Sequence, residues 1–351
     1  IDSLNPDFVV ISSLFEGLGD DAVTSLKRFS CQHLTAVILY DLIPFIHRQP
    51  YLENPVVEKW YLEKIEHSRH ADLWLGISCR EGVEYLNLPS ERCINISTDA
   101  DEQFKVIDVT TEAKRSLQDK YGLTQNFVMY TGGIDHRKNI EGLIRAYAKI
   151  SPRVRESHQL AIVCSVQDDS RKRLLQLASE QGLNKGEMIL TGFVPEDELI
   201  QLYNLCAAFI FPSWHEGFGL PALEAMRCGA PVIAAHTSSL PEVVGLAEAL
   251  FDPHSDEAIT SAIERVLTDG SFRERLRAHG VEQANKFSWN ETAQRTISAM
   301  ERVLAEPASA HLLSQEAPPS RPKLAYVSPL PPERSGISDY SAELLPALAQ
   351  Y

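Results

Sequence analysis

Short apolar runs rich in β-branched and aromatic residues recur through the middle of the chain, each followed by a polar stretch with helical patterning. From Phe127 to about Leu267 the runs are FVMYTG, LAIVCS, MILTG, AAFIFPS, PVIAA and EALFD. Runs this short, bounded by Gly, Pro or Ser, read as buried strands. Between them, NIEGLIRAYAKI sets Ile140, Leu143, Ile144, Tyr147 and Ile150 on one face at helical spacing. SRKRLLQLASEQG stops at Gly182, the expected residue just past a helix end. Six strand–helix alternations predict an α/β fold with a doubly wound parallel sheet, which takes ligands at the carboxyl ends of its strands.

The first hundred residues are written in the same style. DFVVISS, TAVILYD, ADLWLGIS and CINIS read as strands with polar helices between them. No strand–turn–helix unit opens the set, so residues 1–110 are expected to be a partial N-terminal domain and 111–286 a second domain. FSWNETAQRTISAMERVL (287–304) predicts a helix with Ser288 and Glu291 spaced as a capping box. Its apolar stripe would be Ala293, Ile297, Met300 and Leu304, and residues 287–305 would cross back onto the first domain. The Pro/Ala/Ser-rich stretch 306–322 reads as a linker. Residues 323–351 then give a fresh strand, a Gly-containing turn and a helix, which is the expected start of a second module. The alternative is a permuted arrangement in which KLAYVSP supplies the missing strand of the first sheet. Pairing of Lys323–Ser328 with Asp7–Ser13 distinguishes the two.

Composition narrows the function. The 351 residues are 44% hydrophobic and 23% charged, ordinary for a soluble globular protein, and the length suggests more than one domain. A formal net charge of −15 argues against nucleic acid as a partner. The cysteines at 31, 79, 93, 164, 206 and 228 form no C-x-x-C pair and suggest neither a zinc site nor a disulfide framework. No apolar stretch is long enough to span a membrane and no signal peptide is visible. The chain does not begin with Met and reads as an internal portion. A cytoplasmic setting is expected, with attachment at the inner face of a membrane left to a full-length assembly.

HEGFGLPALEAMRCGAPVIA, from His215 to Ala234, places Glu216 and Glu224 on either side of a glycine turn that leads into a helix. Gly217 and Gly219 let backbone amides approach a ligand closely. Pro221 suits a first helical turn, and Glu224 is expected in that same turn, where the helix dipole favours a carboxylate. Amides there can hold sugar hydroxyls or a diphosphate, and carboxylates accept from vicinal hydroxyl pairs. GFGLPA also fits the G-x-G-x-x-A dinucleotide fingerprint. That fingerprint wants an acid after the next strand, where His236 stands instead. A plain tight turn is the third reading. The second cluster is YTGGIDHRKNIEGLI. Arg137 and Lys138, just before a helix, are badly placed for its dipole unless an anion sits there. Two solvated surface cations is the bland alternative.

GGIDHRKN, GFVPEDEL, FPSWHEGFGLPALEAMRCGAPVIA and SSLPEVVG together resemble the retaining glycosyltransferases of family 4, over about residues 1–305. The seven residues between Glu216 and Glu224 match that family's paired-glutamate signature. SSLFEG and YDLIP further resemble its bacterial mannosyltransferase branch, which builds polysaccharide chains. The resemblance implies a GT-B architecture, two Rossmann-like domains facing a cleft. It implies that Glu216 contacts the transferred sugar and that backbone groups of Phe218, Gly219 and Leu220 hold its hydroxyls and the diphosphate. Glu224 would take the ribose hydroxyls, and Arg137 and Lys138 would neutralise the leaving diphosphate, a task a metal performs in other transferases. The turn at Gly132 and Gly133 would complete the donor site. Family members often carry Arg at the Gly133 position, so Arg137 is the expected substitute. Phe193 and Val194, in GFVP, would line the base, and Asp41 would touch donor or acceptor. The implied reaction is transfer of a hexose, mannose from GDP-mannose in the sharpest version, to a glycan or lipid-linked glycan, with retention and without a metal or other cofactor. UDP-glucose is the alternative donor, and a nucleotide-sugar-binding fragment without turnover the alternative class.

Weaker signals have bland readings. Asp99-Ala-Asp101 spells the D-x-D of metal-dependent transferases, a common chance triplet. His67 and His70 read as a solvated helix face, His215 as a structural neighbour of Glu216, and Trp289 as an anchor for the late helix.

Overall fold

The computed structural model describes residues 6–18, 33–306 and 323–351. It divides into two α/β units. Unit 1 holds the N-terminal residues to Thr98 and the segment from Phe287 onward, and unit 2 runs from Asp99 to Lys286.

Unit 2 contains β5 (Asn126–Thr131), β6 (His158–Val163), β7 (Met188–Leu190), β8 (Ala208–Phe211), β9 (Val232–Ala235) and β10 (Leu250–Phe251). All pairings are parallel, in the order β10-β9-β8-β5-β6-β7. Every expected strand is present. Counted from β5, the order reads 3-2-1-4-5-6 from the β7 edge, so the winding reverses between β5 and β8, where such sheets open a crevice for ligands. The helix Ile140–Lys149 buries Ile140, Leu143, Ile144 and Tyr147, and Ile150 at its end is buried too. Gly182, at φ +81°, follows the helix Asp168–Glu180. Its N–H donates to Ser179 O, and Leu183 N–H donates to Ala178 O, which closes the helix end as the sequence predicts.

The boundary falls at Thr98/Asp99, ahead of the expected 110/111. The reason lies in the connecting stretch, which is tied to unit 2. Arg227 donates to both oxygens of Asp99 (2.6 and 2.7 Å), Ile107 N–H donates to Asn204 Oδ1, and the Phe104 ring meets Tyr203 edge-on. Burial outweighs the Arg227 partner and pushes the Asp99 carboxyl up to about 6. Asp101 Oδ1 accepts from Gln103 N–H, so both acids of the D-x-D triplet serve local structure.

Unit 1 contains β1 (Phe8–Ile11), β2 (Leu34–Leu39), β3 (Leu73–Gly76), β4 (Cys93–Asn95) and β11 (Leu324–Val327). The parallel order is β11-β1-β2-β3-β4, with Phe8 opposite Leu324 and Ile11 opposite Val327. Residues 323–351 therefore add the edge strand of the first sheet. This is the pairing of the permuted alternative. The physical reason is the bare edge of β1, a row of unpaired N–H and C=O groups that a parallel strand can satisfy. The helix Gly336–Leu348 packs against the helix Trp289–Leu304, with Tyr340 edge-on to both Trp289 (5.0 Å) and Tyr40 (5.2 Å). Linker residues 307–322 lie outside the described residues.

Ser288 Oγ accepts from Glu291 N–H at 3.0 Å, one half of the expected capping box, while Glu291 turns to Arg295. The buried stripe of this helix is rotated from the expected one. Thr292, Ala293, Thr296, Ala299, Met300 and Val303 are buried, with Ile297 and Leu304 at the margin. Two threonines can sit inside because their hydroxyls donate to the carbonyls of Ser288 and Thr292 one turn back. Leu344 is fully buried in unit 1. Leu344→Ala should lower the thermal stability of unit 1 by about 2 kcal/mol and leave the unit 2 transition in place. An unchanged unit 1 melt in calorimetry would show that residues 323–351 fold apart from it.

Candidate donor-binding site

The expected donor residues gather at the carboxyl ends of β5, β7 and β8 in unit 2. After β5, Gly132 takes φ +138°, where an added Cβ would stand 2.9 Å from the Tyr130 hydroxyl. Tyr130 is buried and its hydroxyl donates to Gly133 O at 2.6 Å, which pins the exposed glycine turn. Arg137 and Lys138 follow in a single 3-10 turn, His136–Lys138. They therefore precede the α-helix instead of opening it. Asn139, left-handed at φ +54°, makes the break, and its amide donates to Pro212 O and Pro253 O.

After β8 the chain enters the HEGFGL loop, and the two loops are joined. Trp214 N–H donates to Arg137 O at 2.7 Å, and Arg137 Nη1 donates to His215 O at 2.9 Å. Glu216 receives both cations. Lys138 Nζ lies 2.7 and 2.9 Å from its two oxygens, and Arg137 Nη1 lies 3.0 Å from Oε2. Arg137 Nε also meets Asp135 Oδ1 at 3.1 Å. Lys138 is 8% and Glu216 6% exposed, so the solvated-surface reading of the pair fails for Lys138. Ser238 and Ser239, from the loop after β9, brace the turn. Ser238 Oγ accepts from Glu216 N–H, and Ser239 Oγ donates to the carbonyls of Glu216 and Phe218.

The loops after β5 and β8 share one ring. Lys138 Nζ sits 5.4 Å from the Phe211 centroid, and a Cβ added at Gly132 or Gly219 would touch that ring at 3.9 or 3.8 Å. Gly219, at φ +105°, leaves no room for a side chain, since a Cβ would fall 2.6 Å from Leu240 Cδ2. Phe218 is buried and Leu220 exposed.

Glu224 needs a correction. The helix starts at Leu220, so Glu224 is its fifth residue and lies beyond the first turn, where the dipole has faded. Its setting is desolvation. The half-buried carboxyl is pushed up to about 7 by burial, against a Tyr203 hydroxyl that donates to Oε2 at 2.8 Å and pulls it down. Tyr203 was not singled out from the sequence, and Ser238 and Ser239 appeared there only within SSLPEVVG. No spacing signal marks Tyr203, because its partner lies on another helix.

Gly192, Phe193, Val194 and Pro195 lead from β7 into the helix Glu196–Leu205, which carries Tyr203. Phe193 is 77% exposed, the largest exposure among the described large apolar side chains. Asp41 lies two residues past β2 in unit 1, where its Oδ1 accepts from Ile43 N–H at 2.9 Å. Among the described residues no group of three or more His, Cys, Asp or Glu is placed to hold a metal, and no helix is long and apolar enough to cross a membrane.

Residues 113–283 match the family of glycosyl transferases group 1. The serotype-specific mannosyltransferase WbdA of Escherichia coli is 40% identical over 307 residues, 87% of this chain and 38% of that relative. O-antigen chain mannosyltransferase B of E. coli is 36% identical over 245 residues, 68% of this chain and 63% of that relative. The chain thus spans well under half of the first relative's length. Among solved structures, Anabaena HepE in complex with UDP-glucose superposes with a TM-score of 0.63 at 18% identity, over 78% of this chain and 73% of that one. That likeness carries the fold, the GT-B arrangement of two Rossmann-like parallel sheets.

Proposed function

Residues 113–283 belong to the group 1 glycosyl transferases, and on that footing we propose that the chain binds a nucleotide-sugar donor in unit 2 and transfers its hexose with retention to a growing glycan. The sharpest form is mannose from GDP-mannose, delivered to a glycan or lipid-linked glycan of a surface polysaccharide. The names of the two Escherichia coli relatives favour it.

The observation that carries the reading is the convergence on Phe211. One buried cation and two glycine turns that exclude any side chain meet at a single ring, at the winding reversal of the sheet. A diphosphate fits that chemistry, with Lys138 and Arg137 supplying charge and the amides around Gly219 supplying donors. On entry it takes over the cations that Glu216 now holds, and a Glu216 oxygen turns to a hydroxyl of the sugar. Phe193 offers its face to the base, and Glu224 accepts from the ribose hydroxyls.

In the step itself the bond from C1 to the diphosphate oxygen breaks, and its electron pair leaves with the diphosphate. The acceptor oxygen bonds to C1 on the same face, and its proton passes to the departing phosphate oxygen. The transition state is oxocarbenium-like. Lys138 and Arg137 meet the growing negative charge, the task a metal would otherwise serve. Asp41 is proposed to act on the acceptor side, and membrane-associated assembly is proposed as the setting of the transfer.

Calorimetry with GDP, UDP and ADP ranks the base, and GDP is expected to bind most tightly. A transfer assay with GDP-mannose and UDP-glucose then separates the donors. Preference for UDP would overturn the mannose reading. Binding without transfer or donor hydrolysis would reduce the chain to a nucleotide-sugar-binding portion, a second reading favoured by its 38% span of WbdA.

A further inference from the structure

Tyr203 is fully buried on the helix Glu196–Leu205, with its ring edge-on to Phe104 and Phe209. A tyrosine so deep needs a partner for its hydroxyl, because an unmet buried donor costs more than the bond contributes. Its partner is Oε2 of Glu224, at 2.8 Å, on the neighbouring helix. Packing locks the ring, so the hydroxyl is a fixed point and the flexible glutamate is the group being held. Glu224 is half-buried, and among the described residues Oε1 accepts no hydrogen bond from the protein.

We propose that Tyr203 is a positioning residue for the donor: its hydroxyl ties down Oε2 of Glu224 so that Oε1 faces outward to accept from the vicinal hydroxyls of a nucleotide ribose. The inference rests on the reading of Glu224 as the ribose acceptor and adds how that acceptor is oriented and kept ionised. A carboxylate accepts from both hydroxyls, whereas a carboxylic acid would turn one oxygen into a competing donor. The charged and titratable groups facing Glu224 are few. Tyr203 favours the ionised form, Glu196 at the start of the Tyr203 helix disfavours it, and the Cys228 thiol lies nearby on the Glu224 side. Burial disfavours ionisation most and brings the carboxyl to about 7. Ribose preference should therefore be present above that pH and fade below it.

The test measures affinity of the full chain for GDP and for 2′,3′-dideoxy-GDP across pH 5.5–9. Titration of the phosphate cancels in the ratio of the two, which isolates the ribose hydroxyls. In the wild type the ratio should rise with a midpoint near 7. In Tyr203→Phe, which keeps the ring, the midpoint should move up by about one unit, a loss of about fivefold in the ratio at pH 7. A purely structural tyrosine would lower the melting temperature and leave the midpoint alone. An unmoved midpoint in Tyr203→Phe, with the ratio abolished in Glu224→Ala, overturns the positioning role and keeps the ribose contact. A ratio that survives Glu224→Ala overturns both.

Discussion

Lys138→Ala is expected to lower sugar transfer by roughly 10²–10³ and to weaken binding of the nucleoside diphosphate as well. An ammonium 8% exposed is costly to keep, and the fold keeps it by setting it 2.7 and 2.9 Å from the Glu216 oxygens and over the Phe211 ring. A buried ion pair contributes little net stability, so such a cation reads more naturally as charge held ready for a ligand than as a structural tie. Arg137 cannot replace it. Its guanidinium is already committed to Asp135, His215 O and Glu216 Oε2, and it approaches the loop from its backbone side. Lys138→Arg should rescue only in part, because a planar fork does not fill the place of a point charge beside that ring. Steady-state rates and product affinity measured together check this. Wild-type values in Lys138→Ala would remove the diphosphate from this pocket.

Glu216→Gln has effects of opposite sign on its two readouts. Turnover should fall by about 10², since the sugar loses a charged contact made at the reacting centre. GDP alone should bind more tightly than to the wild type, because the anion that competes for Lys138 and Arg137 is gone. The unliganded protein should also lose about 3 kcal/mol of stability, since two partly buried cations are left without their counter-charge. The three shifts form a signature no simple misfolding reproduces. Weaker GDP binding together with slower turnover would mean that Glu216 does not hold the cations in solution.

Much of unit 2 was legible in the sequence because its signals are local. Strands buried on both faces are written as continuous apolar runs, and the helix face from Ile140 to Ile150 keeps a strict helical period. The cation pair and the glycine turn were legible because each breaks a local rule. Two adjacent cations sit badly before a helix dipole, and two glycines set between two acids suit a close backbone approach. What escaped notice depends on elements distant in sequence. Tyr203 matters through Glu224, 21 residues away on another helix, and nothing beside it differs from a core tyrosine. The position of Glu224 was off by about one residue, because the helix starts at Leu220 behind a Gly219 cap, one residue ahead of Pro221, and that carries Glu224 past the first turn. The rotated stripe of the helix Trp289–Leu304 arose because Thr292 and Thr296 hide their hydroxyls within the helix, which an apolar/polar reading counts as exposed. The place of residues 323–351 turned on an unfilled sheet edge, which no single segment reveals.

The central claim is that Lys138 and the Gly219 turn grip one diphosphate, and a crystal structure of the chain with GDP tests it most directly. The account predicts diphosphate oxygens within hydrogen-bond distance of both Lys138 Nζ and a backbone amide of residues 218–220, with Glu216 swung off at least one cation. A diphosphate bound elsewhere, with the Lys138–Glu216 pair intact, would contradict it.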